Sequence, residues 1–207
     1  MSQSYGLRFA NKTTLLILLS ALATGCSWFE DDEESFYEPA DLVDFDEQVE
    51  LDTKWSRSIG DGQGDKFNRL ELALDDGNIY IAEVDGDVYS LEIERGKEQW
   101  EAELDVTLTG GVGVGDSLVV VGTVKGVVIA LDKNTGAKLW SSQLTGEVLA
   151  PPAVADNVVV AQTFDGRLYG LDSTSGEQVW VYDSTLPRLT LRGTSRPIIN
   201  GDTVYSG

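Results

Sequence analysis

GNIYIAEVDGDVYSLEIERGKEQW (77–100), GDSLVVVGTVKGVVIALDKNTGAKLW (115–140) and DNVVVAQTFDGRLYGLDSTSGEQVW (156–180) are three statements of one phrase. Trp100, Trp140 and Trp180 close them at intervals of forty residues, and Gly86, Gly126, Gly166 and Gly96, Gly136, Gly176 keep the same step. A fixed period of this length marks one supersecondary unit that cannot bury its apolar face alone and stacks on copies of itself.

Within each phrase the apolar residues alternate, as Ile79 and Ile81, Val88 and Leu91, or Val119 and Val121, which is the period of strands. Asp85-Gly86, Lys125-Gly126 and Asp165-Gly166 sit between two such runs and read as hairpin turns. A second turn follows at Gly96, Gly136 and Gly176, then a short strand ending at the Trp. Four strands of about five or six residues plus their turns fill one period. The chain is therefore all-β, built of four-stranded antiparallel blades of a β-propeller.

A large ring with one N–H suits a site between neighbouring blades, its body buried and its donor on a backbone carbonyl. Regular spacing makes the tryptophans packing elements rather than ligand platforms. Trp55, in LDTKW, is a fourth such element without a complete repeat before it. Leu51–Ser58 is expected to be the strand that closes the ring, with residues 51–207 forming a partial propeller. A further repeat opens at Asn200–Tyr205 and stops at Gly207, before its hairpin turn. A ring takes four blades or more, so the chain reads as the first half of a longer protein, expected to be poorly soluble alone with its strand edges exposed.

Residues 1–25 carry Arg8, Lys12 and no acid, followed by the apolar stretch Leu15–Leu22, too short to span a bilayer and fitted to an export signal. Ala23-Thr24-Gly25-Cys26 matches the bacterial lipoprotein processing box, and Cys26, the single cysteine, is the expected lipidation site. Ser27 replaces the Asp that retains many lipoproteins at the inner membrane, which points to the outer membrane. Without residues 1–25 the chain has 13 basic and 35 acidic residues, a net charge of −22. Residues 26–50 form an acidic tether, and from Glu30 to Asp52 there are twelve acids and no Lys or Arg. Such acidity argues against nucleic acid and against adhesion to anionic membrane surfaces.

The chain has no His, its one Cys is assigned to lipid, and no nucleophile–base pair stands out. Asp85 and Asp87 flank a turn Gly without the ligand spacing of a calcium loop. Gly60-Asp-Gly62-Gln-Gly64 lacks the dinucleotide fingerprint before a helix. The sequence thus points to no catalytic residue, no metal and no cofactor.

The repeat resembles that of pyrroloquinoline-quinone enzymes. More closely, it is similar to the BamB family, lipoproteins of the bacterial outer-membrane β-barrel assembly machinery. The features that carry the likeness are the processing box, WSRSIGDGQGDKF at 55–67, GEVLAPPAVADNVVVAQTFDGRLYGLD at 146–172, and above all LPRLTLRGTSRP at 186–197. The resemblance implies an eight-bladed propeller, non-catalytic, that binds the periplasmic domains of the barrel protein BamA, with nascent outer-membrane proteins as further partners. It also implies that Leu189, Leu191 and Arg192, on a connection between blades, contribute to the BamA contact. On the residues alone the two leucines read as core of the next blade's first strand, with Arg192 solvated; the resemblance reverses that reading. Arg188 and Arg196 add positive charge nearby. The alternatives are a quinoprotein dehydrogenase, which needs cofactor contacts and a metal-binding carboxylate set, and a propeller lipoprotein serving another envelope protein.

Overall fold

The computed structural model describes residues 41, 43–44, 49–60, 62, 64, 70–183 and 193–207. Two units are distinguished, Met1–Glu50 and Leu51–Gly207. In the first, Asp41, Val43, Asp44, Val49 and Glu50 are exposed and outside regular structure. In the second, every described element is a strand.

Three meanders of four antiparallel strands follow one another. The first blade is β1 (Ala73–Asp75), β2 (Asn78–Ala82), β3 (Asp87–Glu92) and β4 (Glu98–Glu103). The second is β5 (Leu108–Gly115), β6 (Leu118–Thr123), β7 (Val127–Asp132) and β8 (Lys138–Gln143). The third is β9 (Ala153–Ala155), β10 (Val158–Gln162), β11 (Arg167–Asp172) and β12 (Gln178–Asp183). A hairpin of β13 (Ile198–Asn200) and β14 (Thr203–Tyr205) follows. The first strands β1, β5, β9 and β13 are neighbours in sequence order, so each sheet runs outward from a common inner edge. Local chemistry sets the turns: Asp156 and Asn157 both take positive φ, 52° and 64°, the pair of left-handed residues of a type I′ hairpin turn.

Burial departs from the simple alternation the sequence suggests. Tyr80 and Ala82 are buried while Ile79 and Ile81 are only half-buried, and in β6 every residue from Leu118 to Thr123 is buried. The reason is that a middle blade is covered on both faces. Val119 and Val121 pack into a core with Tyr80, Val88 and Trp100 of the first blade. Leu118 and Val120 pack into a second core with Val159, Tyr169 and Leu171 of the third. At the inner edge the backbones themselves meet: Val112 N–H donates to Glu71 O at 2.9 Å, and a Cβ on Gly113 would collide with Pro152 O.

Trp100 and Trp140 each pin one blade to the next. Trp100 Nε1–H donates to Lys133 O at 2.9 Å and Trp140 Nε1–H donates to Ser173 O at 2.8 Å. Both indoles are 8% exposed, and burying a ring of this size contributes about 4–6 kcal/mol as an upper bound. Each ring lies on a turn glycine of the following blade. A Cβ on Gly136, which has φ +71°, would stand 2.6 Å from Cε3 of Trp100, so the turn needs glycine for both its conformation and its space. Gly176 meets Trp140 in the same way. The tryptophans lie inside the fourth strands, not at their ends, because those strands continue three residues further to Glu103, Gln143 and Asp183. A bulge opposite Ser90–Leu91, Ala130–Leu131 and Gly170–Leu171 immediately precedes each one.

Leu51–Ser58 lies outside the strands. Even so, Trp55 treats the first blade as Trp100 treats the second. Its Nε1–H donates to Ile93 O at 2.9 Å, and a Cβ on Gly96 would lie 2.6 Å from its ring. Arg57 adds bonds to Gly96 O at 3.1 Å and to Glu98 at 2.6 Å.

Candidate partner-binding face

In an antiparallel meander the turns after the second strands and the connections between blades emerge at one end of the sheets. Backbone hydrogen bonds weave them together: Leu104 N–H to Gly86 O at 3.2 Å, Leu144 N–H to Gly126 O at 2.8 Å, and Phe164 N–H to Glu147 O at 2.8 Å. The third connection, between Asp183 and Ile198, is the longest and leaves from this same end.

The side chains of this face differ from blade to blade at equivalent places. In the third blade Arg167 stands opposite Asp183 across β11 and β12. Its guanidinium donates to Asp183 at 3.1 Å, to Asp165 at 2.6 Å and to the Thr145 hydroxyl at 2.9 Å. Thr145 also shares a hydrogen bond of 2.7 Å with the Tyr169 hydroxyl and donates to Asp165 at 2.8 Å. Burial raises the Asp165 carboxyl, but bonds from Thr163 and Thr145 and the charge of Arg167 outweigh it and hold the group below its ordinary range. The network fixes the strand end from which the long connection departs. In the first blade the same register sets Asp87 opposite Glu103, two like charges, and Tyr89 opposite Glu101. Burial, followed by a hydrogen bond to Glu101 and the charge of Glu83, pushes the Tyr89 phenol up. In the second blade Val127 faces Gln143, whose amide donates to Lys125 O and Leu144 O, both at 2.8 Å.

Between the first and second blades this face has a cleft of about 240 Å³ lined by Asp85, Asp105, Val106, Thr107, Thr123, Val124, Lys125 and Val127. One repeat later, Arg167 spans the corresponding corner. Among the described residues no three Asp, Glu, Cys or His side chains converge as a metal-ligand set.

Residues 84–207 match the family model described as outer membrane protein assembly factor BamB. The chain is 58% identical over 196 residues to the outer membrane protein assembly factor BamB of Pseudomonas aeruginosa, covering 95% of this chain and 51% of that protein. The chain belongs to the BamB family. The BamB of Kangiella koreensis is 50% identical over 94% of this chain and 48% of its own length. The crystal structure of BamB from Moraxella catarrhalis superposes with a TM-score of 0.58 at 34% identity, over 65% of this chain and 40% of that one. The chain thus spans about half the length of the BamB relatives it matches.

Of the expected contact residues, Leu189, Leu191 and Arg192 lie outside the described residues, as do Arg188 and the expected lipidation site Cys26. Arg196 is described and exposed, before buried Pro197. The Arg167 network escaped sequence reading because it depends on cross-strand register and on a connection: Arg167 and Asp183 are sixteen residues apart, and Thr145 lies between the second and third blades. The one signal was an Arg just after the Asp165-Gly166 turn, where the other repeats have Asp87 and Val127.

Proposed function

We propose that the chain belongs to a lipid-anchored periplasmic scaffold of the outer-membrane β-barrel assembly machinery, acting by binding and not by catalysis. Membership of the BamB family, shared with relatives named as assembly factors, carries this reading. The propeller supplies a rigid frame of blades locked by indoles, and the face described above supplies the contact. On this reading Cys26 bears the lipid, residues 26–50 tether the frame, and Leu51–Ser58 closes the ring through Trp55. Leu189, Leu191 and Arg192 meet the periplasmic domains of BamA: two apolar anchors beside an Arg suit an interface, where such residues carry disproportionate binding energy. The Arg167–Asp183 pair supports this by holding the start of their connection.

The test is recovery of BamA periplasmic domains by the full-length protein in a pull-down. Replacing Leu189, Leu191 and Arg192 together by Ala is expected to cut recovery by about ten-fold or more, the loss typical of removing an interface hot spot. Unchanged recovery with the triple variant refutes the assignment.

A further inference from the structure

Among the described residues the fourth strand of each blade pairs on one side only, so there β4, β8 and β12 present free edges. Proteins guard such edges with charge because an open row of N–H and C=O groups templates another strand. β4 is guarded, with Glu98, Glu101 and Glu103 in six residues. β12 is not: QVWVY has no charge before Asp183, and Val179 and Val181 are 61% and 47% exposed. β8 lies between, with Lys138 beside a Leu139 that is 52% exposed. Leu139 keeps this exposure although complete blades lie on both sides of β8, so an exposed bulge residue is a property of the outer strand, not of a missing neighbour. Tyr182 is different, because its counterpart Ser142 donates to Gly176 O of the following blade. All three outer strands share the same bulge, so backbone geometry does not distinguish them.

We infer that the edge of β12, and more weakly that of β8, takes up an extended segment of an unfolded β-barrel client by strand addition, while β4 is closed to it. The inference rests on the assembly-factor reading and names the client surface within it. A barrel strand alternates apolar and polar residues and carries no charge on the face that will meet lipid. The uncharged edge with Val179 and Val181 two residues apart complements that pattern, and main-chain bonds accept many sequences. On β4 the same segment would strip water from carboxylates that it cannot pair. β12 also leads directly into the connection assigned above to BamA, so a client held there sits beside that contact.

The experiment places a photo-reactive benzophenone side chain at the equivalent positions Gln99, Leu139 or Val179 of the full-length protein. The probe is a urea-unfolded eight-stranded outer-membrane barrel protein, diluted into buffer. Cross-linking is expected to rank 179 above 139 above 99, with a difference of about five-fold or more between the extremes, the worth of one cross-strand pair. Val181→Lys should reduce the yield from 179 by a similar factor, Val181→Thr should largely keep it, and Glu101→Gln should raise the yield from 99. Equal yields at 99 and 179, or indifference to Val181→Lys, overturns the inference. So does a cross-linked dimer of the chain that forms in place of the client adduct, which assigns the edge to a second copy. BamA recovery by the same proteins is measured in parallel. Intact recovery with no client adduct removes this inference alone, whereas client adducts without any BamA recovery remove the proposed BamA contact and leave the edge assignment standing.

Discussion

The first and third blades share a backbone and disagree on one face. Both have a bulge before the tryptophan and an antiparallel meander of four strands, yet Asp87 opposes Glu103 where Arg167 opposes Asp183. The tryptophans that lie between complete blades show the opposite behaviour, since Trp100 and Trp140 make the same bond to a carbonyl thirty-three residues later. Repetition therefore marks what holds the frame together, and departure from repetition marks what an individual blade is adapted to do.

The largest effect is expected from breaking the repeated part. Trp140→Ala empties a junction site and leaves Ser173 O without its donor, so about 3–5 kcal/mol of stability should be lost, read as a lower urea midpoint of the full-length protein. A loss below about 1 kcal/mol would mean that the blades are held by something other than the indole. Transplanting the variable part sharpens the comparison. Asp87→Arg recreates in the first blade the pair that Arg167 makes in the third, relieving a like-charge contact, and should stabilise by a few tenths to about 1 kcal/mol at low salt. Arg167→Leu should cost a similar amount, and both differences should shrink in high salt. If neither variant responds to salt, the cross-strand charges are not in contact in solution.

The smallest effect is a pH response. The Thr135 hydroxyl, with the backbone N–H groups of Asn134 and Thr135, lowers the Asp132 carboxyl; the Ser175 backbone N–H and hydroxyl lower that of Asp172. Asp165 is lowered as well. Because the folded values lie below the unfolded ones, the unfolded chain takes up protons first as pH falls. This contribution is whole at neutral pH and is lost progressively below the ordinary carboxylate value of about 4. Urea midpoints from pH 7 to pH 3 should fall at the acid end, and Asp132→Asn should flatten part of that fall.

The frame was largely legible in the sequence because it is made of recurrences: the spacing of Trp100, Trp140 and Trp180, and turn glycines such as Gly136. The faces of the strands were less so. Ile79 and Ile81 look like the inward pair, but a blade enclosed on both sides buries Tyr80 and Ala82 more deeply. The position of each tryptophan within its strand was also hidden, since a bulge has no signature in apolar spacing. Beyond the indole junctions, ion pairs between blades were out of reach for a further reason. Lys133 Nζ meets Asp75 at 2.8 Å across fifty-eight residues, and only the stacking of one blade on the next brings them together. The assignment of Leu189, Leu191 and Arg192 to a contact rests on likeness to a family alone, because nothing in their pattern separates an interface from a strand's core, and they lie outside the described residues.

The most direct test separates frame from face in one molecule. Residues 184–197 of the full-length protein are replaced by the shorter second connection, 144–152, leaving every described strand and indole junction in place. The account predicts an unfolding midpoint equivalent to within about 1 kcal/mol, the usual tolerance of loop exchange, together with loss of BamA recovery. A stable protein that still recovers BamA would contradict it.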